Sequence, residues 1–141
     1  MSKTSTDKSP IVVLDTNMAM LMASGVPVLD HIEEELEARP RFVVIRPVYE
    51  ELVKIANSVT GTARKQALFA LELVNKFCEV VDYELLSGED VDDAIVRYAL
   101  ETGAIVATND RILRRKLREL GVPEAYFREE GRRVKVEGYY K

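Results

Sequence analysis

The chain has 141 residues, 47% hydrophobic and 31% charged, with a formal net charge of −4. That balance excludes a disordered chain, and no apolar run approaches the ~18 residues that a membrane span needs. One cysteine, Cys78, and one histidine, His31, exclude an intramolecular disulfide and every metal motif built on several Cys or His residues.

Residues 1–9 read as a polar, flexible leader that lacks the apolar segment of a secretory signal, so a cytoplasmic location without membrane contact is expected. Residues 10–141 read as a single domain. Ile11-Val12-Val13-Leu14 is a continuous apolar run between Pro10 and Asp15, the pattern of a strand covered on both faces. Helices are expected over 17–24 and 27–38, separated by Gly25 and Pro27. Phe42 to Ile45 is a second buried strand, and Pro47 then opens a helix to about Ser58. Thr62 to Phe77 is the longest helical pattern, and Glu79-Val80-Val81 is a short third strand. Asp90 to Thr102 is helical, Gly103 closes it, and Ala104 to Ala107 form a fourth strand. Asp110 to Leu120 is the last clear helix; Tyr126-Phe127 and Arg133 to Val136 have strand character, the latter as an edge. This alternation predicts an α/β fold, a three-layer α/β/α sandwich with a mainly parallel sheet of four to five strands.

In such sheets ligands sit at the carboxyl ends of the strands. Asp15 follows the first strand directly, and Asp110 follows the fourth, so both emerge at one sheet edge. Two further acids can join them from helices. In the helix opened by Pro47, the residues Val48, Leu52, Ile55 and Val59 share one face; Glu51 stands at its border and Glu50 points nearly away. Glu50 also has Lys54 four residues on, an ordinary surface pair. In the helix after Asp90, the residues Val91, Ala94, Ile95, Tyr98 and Thr102 mark the buried face. Asp92 lies at its border, while Asp93 lies almost opposite with Arg97 at i+4. Asp92 is the preferred acid, with Asp93 as the alternative. Each acid alone also suits a helix cap or a turn. Four together repel one another unless they are protonated or hold hard cations, and an all-oxygen set suits Mg²⁺ or Mn²⁺. Such ions activate water and neutralise phosphate charge.

The charge is unevenly spread. Residues 1–110 carry ten Lys or Arg against nineteen Asp or Glu, a net of −9; residues 111–141 carry ten against five, a net of +5. Arg111, Arg114, Arg115 and Arg118 form one helical stripe beginning beside Asp110, placed to hold the phosphates of a nucleic acid or to face solvent. Tyr126, Phe127, Tyr139 and Tyr140 suit packing better than base stacking, and His31 and Cys78 suit packing better than ligation. The methionines of NMAMLM suit a core or a subunit contact.

VVLDTN, RPVYEEL, DDAIVRYALETGAIVATND and the following RILRRKL, taken in order over residues 11–128, resemble a PIN-domain ribonuclease. The resemblance implies a divalent-metal-dependent endoribonuclease that uses Mg²⁺ or Mn²⁺ and leaves a 5′-phosphate and a 3′-hydroxyl. It implies metal binding and catalysis by Asp15, Glu51, Asp92 and Asp110, with Thr16, Asn17, Thr108 and Asn109 supporting them or touching substrate. It also implies RNA as substrate and a homodimer, for which helices 17–38 offer an apolar contact. The chain resembles both VapC-type toxins, which imply an antitoxin partner, and archaeal relatives of small-subunit ribosomal-RNA-processing nucleases, which imply a ribosome-assembly partner. VATNDRILRRKLRELGVP leans toward the latter group. The alternative is a non-catalytic RNA-binding or ribosome-assembly module on the same fold. A receiver domain wants paired acids after the first strand, and a haloacid-dehalogenase-type phosphatase wants a second Asp where Asn17 stands; LDTN supplies neither.

Overall fold

The computed structural model describes residues 9–58 and 61–140. The expected leader, apart from Ser9, and the expected buried Val59 lie outside the described residues, as does Lys141 at the end of the expected domain. In chain order the elements are β1 (Ile11–Leu14), α1 (Thr16–Ala23), α2 (Val28–Leu36), β2 (Arg41–Ile45), α3 (Arg46–Ala56), α4 (Gly61–Phe77), β3 (Glu79–Val81), α5 (Val91–Thr102), β4 (Ile105–Ala107), α6 (Arg111–Leu120), β5 (Glu124–Arg128) and β6 (Arg133–Glu137).

The strands form one sheet in the order β3-β2-β1-β4-β5-β6. The first five are parallel, and β6 pairs antiparallel with β5 from Glu124↔Glu137 to Arg128↔Arg133. The sheet therefore has six strands where four to five were expected. The two C-terminal strands are longer than their apolar signals because polar residues fill much of each, including Glu124, Arg128, Arg133, Lys135 and Glu137.

The central strands carry no solvent-facing side, which is why they read as unbroken apolar runs. Val12, Val13, Leu14, Val43, Val44, Ile45, Ile105, Val106 and Ala107 are all fully buried. Helices cover both faces by turning apolar stripes inward, as with Val48, Leu52 and Ala56 of α3 and Leu113 and Leu117 of α6. Met18 and Met22 of α1 belong to this core. Gly103 ends α5 in the left-handed region at φ 77°, which costs a glycine little and turns the chain straight into β4.

The far edge of the sheet is covered by a helix. His31 of α2 is buried, and its Nδ1 accepts the backbone N–H of Val134 at 3.1 Å. One turn on, Glu35 accepts the N–H of Val136 at 3.2 Å and the Lys135 ammonium at 3.2 Å. Residues four apart on a helix thus satisfy alternate amides of β6, which would otherwise be an open pairing edge.

The chain order sets where a ligand can sit. From β1 the chain moves outward to β2 and β3, then returns to lay β4 on the other side of β1. Connections therefore leave in opposite directions between β1 and β4, and a crevice opens at their carboxyl ends.

Candidate active site

The crevice is a cleft of about 430 Å³ lined by Asp15, Thr16, Asn17, Glu51, Lys54, Ile55, Val91, Asp92, Ile95 and Asp110. Four elements deliver its acids. Asp15 is the residue between β1 and α1: its N–H donates to Ala107 O at 3.1 Å across the switch point, and its Oδ1 accepts the Met18 N–H at 2.7 Å as the N-cap of α1. Asp110 plays the same part between β4 and α6, with Oδ1 accepting the Leu113 N–H at 2.8 Å. Glu51 projects from the second turn of α3, where its carboxylate accepts the Thr16 hydroxyl. Asp92 enters from the first turn of α5 and makes no side-chain hydrogen bond among the described residues.

The fully buried Thr108 hydroxyl ties the two strand-end acids together. It accepts the Asp110 N–H at 3.0 Å and bonds the Asp15 carboxylate. The expected supporting residues therefore divide. Thr16 and Thr108 hold acids, Asn17 is exposed and lines the cleft, and Asn109 turns elsewhere, its Oδ1 accepting the Phe127 N–H at 2.7 Å.

Negative charge accumulates here, with Lys54 as the one cation among the lining residues. Asp15 is only 6% exposed, and burial pushes its carboxyl from 3.8 up to about 6, helped by the charges of Asp92 and Asp110 and opposed by bonds from Thr108 and Met18. Partial desolvation, with Asp110, Asp90, Glu51 and Asp93 nearby, likewise holds Asp92 above the ordinary carboxylate value. Asp93 behaves oppositely. Its Oδ2 accepts the Asp90 N–H at 3.1 Å in a reciprocal capping box, and its Oδ1 faces Lys116 at 3.5 Å. The bond from the Asp90 amide leads the contacts that lower its pKa. Of the two alternatives weighed from sequence, Asp92 lines the cleft and Asp93 caps its helix.

As they stand, no three Asp, Glu, His or Cys side chains among the described residues are grouped to hold a metal ion. Three of the four cleft acids keep hydrogen bonds of their own, so their oxygens line the space rather than form a cage. The donor set is nevertheless wholly carboxylate, and the charges of its neighbours help to raise the pKa of Asp15 and Asp92. That chemistry fits a hard divalent cation such as Mg²⁺ or Mn²⁺.

Two sequence readings need correction. The arginine stripe is not a uniform free surface, because Glu124 on β5 is 2% exposed and takes Arg114 Nε at 2.5 Å and Arg118 Nη1 at 3.4 Å. Arg114 also stacks its guanidinium 3.7 Å from the Tyr126 ring centre. A buried carboxylate requires such partners, and an acid opening a strand beside Ala125 was the available signal. Arg111 and Arg115 remain exposed, with no ion pair among the described residues. Glu50 and Lys54, in turn, form no ion pair; Lys54 lines the cleft instead. Its spacing of three residues from Glu51 was the overlooked signal, since i and i+3 share a helix face.

Comparison with known proteins agrees with this geometry. Residues 12–130 match the family described as PIN like domain. Ribonuclease VapC9 of Archaeoglobus fulgidus is 33% identical over 132 residues, which is 93% of this chain and 92% of that protein. Ribonuclease VapC4 of Methanocaldococcus jannaschii is 32% identical over 116 residues, 79% of this chain and 86% of that protein. The solved structure of the PIN domain endonuclease Utp24 has the same fold, with a TM-score of 0.71 over 93% of each chain at 23% identity.

Proposed function

The chain belongs to the PIN-like domain family, and from that premise we propose that it is a divalent-metal-dependent endoribonuclease. The carrying observation is the convergence of Asp15, Glu51, Asp92 and Asp110, from four separate elements, on one cleft at the switch point of the sheet. Asp15, Asp92 and Asp110 would hold Mg²⁺ or Mn²⁺, with Glu51 as a further ligand or a partner through water. When bound, the ion supplies Lewis acidity to a phosphoryl oxygen and lowers the pKa of water.

The remaining chemistry belongs to the chain. Burial of Asp15 makes its negative charge costly, which favours uptake of a cation beside it. Thr108 ties Asp15 to Asp110, and Thr16 holds Glu51, so three of the acids are kept facing one cleft. Asp92, which makes no side-chain hydrogen bond among the described residues, would be the ligand with its oxygens free for the ion. Arg111 and Arg115 reach phosphates that flank the cleft at the start of α6. The two relatives above 30% identity both bear the name VapC ribonuclease, which favours a toxin with a protein antitoxin over ribosomal-RNA processing. No helix among the described residues is long and apolar enough to cross a membrane.

The test is cleavage of end-labelled structured and single-stranded RNAs by wild type and Asp92→Asn, in EDTA and after Mg²⁺ or Mn²⁺ is restored. Metal-dependent cutting by wild type alone is expected. RNA binding without cutting under any metal would return the protein to the assembly-module reading.

A further inference from the structure

Lys54 is the single cation among the residues that line the carboxylate cleft. It pairs with no carboxylate among the described residues, although Glu50 stands four residues before it and Glu51 three. On α3 it lies on the Glu51 side, about 4.5 Å further along the axis, because each residue adds about 1.5 Å. That helix leaves the carboxyl end of β2, and Glu51 and Lys54 together form its contribution to the cleft wall, with Ile55 beside them. Lys54 is exposed and carries its charge on a long, mobile stem.

A lysine is an odd neighbour for acids that must hold cations, since its ammonium competes with the ion they bind. The arrangement makes sense once a polyanion completes the site. Exposed Arg111 opens α6 beside Asp110, and α6 follows β4 as α3 follows β2; β1, with Asp15 at its end, lies between those strands. The acids are therefore flanked by Lys54 on one wall and Arg111 on the other. A nucleic-acid strand drawn across the carboxyl edge meets a cation before and after the acids.

We propose that Lys54 binds the RNA phosphate next to the scissile one on the α3 wall, opposite the phosphates held by Arg111. This assignment deepens the ribonuclease reading and rests on it. The contact is with phosphate and not with a base, so it positions the strand without reading sequence.

The test measures binding of fluorescent single-stranded RNAs of different sequence by anisotropy, at fixed Mg²⁺, in an Asp92→Asn background that leaves RNA uncut. Salt is varied from about 50 to 200 mM KCl, where phosphate contacts dominate the dependence. Adding Lys54→Ala should weaken binding about fivefold at 0.1 M salt for every sequence and reduce the log–log salt slope by about 0.7, the counterion-release value for one phosphate of a single strand. Lys54→Arg should restore both. Lys54 also lies in the last turn of α3, where a cation favours the helix dipole; a purely structural role would lower stability and leave the salt slope unchanged. An unchanged slope in Lys54→Ala, with RNA still bound by the parent, overturns the assignment alone. Tighter Mg²⁺ binding at unchanged slope also overturns it, making Lys54 an internal counter-ion. No RNA binding by the parent overturns the ribonuclease reading, and this assignment with it.

Discussion

Replacing Asp15 by Asn should stabilise the protein in the absence of divalent metal while disabling its chemistry. Asp15 is 6% exposed, and burial lifts its carboxyl from 3.8 to about 6. At low pH the folded and unfolded chains both carry it protonated, and burial costs nothing through ionisation. Between 3.8 and about 6 the unfolded chain releases its proton first, so stability falls as pH rises. Above that window the whole cost is present, about 3 kcal/mol at 1.36 kcal/mol per pH unit. Asparagine keeps an oxygen for the Met18 N–H and offers Thr108 a donor in place of the carboxylate, so it removes the charge and keeps the cap. In EDTA at pH 7 the variant should melt about 10 °C above wild type, at a few degrees per kcal/mol for a chain of this size. At pH 4 the two should nearly coincide. Mg²⁺ should raise the wild-type melting temperature and narrow the gap, because a ligand that binds only the folded state stabilises it. Melting curves by circular dichroism at the two pH values, with EDTA or Mg²⁺, provide the readout. A variant no more stable than wild type at pH 7 in EDTA, or a gap independent of pH, would show that the buried Asp15 charge does not destabilise the fold.

Four further variants separate residues that carry the fold from residues that face the substrate. Arg114→Ala leaves Glu124 buried with only the longer Arg118 contact, and should cost about 3 kcal/mol in urea unfolding. Arg111→Ala should shift stability by less than about 0.5 kcal/mol yet weaken RNA binding; equal stability of the two variants would contradict the division of the stripe. Asp93→Ala should lose about 1 kcal/mol of capping stability and retain cleavage within a few-fold, whereas a collapse of activity would make it a ligand. His31→Phe should cost about 1–3 kcal/mol by orphaning the buried Val134 amide, and an unchanged urea midpoint would show that this amide finds another partner.

The parts of the fold set by short-range pattern were legible in the sequence. Ile11 to Leu14, Phe42 to Ile45 and Ala104 to Ala107 are apolar on both faces, and each lies in the sheet centre. The acids after the first and last of these three strands had no other end of the sheet to occupy. Helical phase also separated neighbours: Glu51 lines the cleft where Glu50 does not, and Asp92 lines it where Asp93 does not. Most of what escaped depended on partners distant in the sequence. Asp93 is drawn back to an amide and to Lys116, 23 residues away. Arg114 bends to a glutamate that only β5 brings near, and Asn109 reaches the Phe127 amide. The Glu50–Lys54 pair fails for a related reason, since i,i+4 spacing permits an ion pair without requiring one. The helical cover over β6 was invisible because His31 and Glu35 meet amides about a hundred residues on.

The most direct test of the central claim is the single-turnover rate of cutting one end-labelled RNA against Mg²⁺ concentration, for wild type and for Asp15→Asn, Glu51→Gln, Asp92→Asn and Asp110→Asn. Wild type should show saturable, Mg²⁺-dependent cutting and none in EDTA, with a loss of about 100-fold or more in each Asp→Asn variant, as expected when an electrostatic element of a site is removed. Glu51→Gln should need more Mg²⁺ to reach its maximum. Cutting that persists in EDTA, or wild-type rates in any of the Asp→Asn variants, would contradict a metal-dependent site built from these carboxylates.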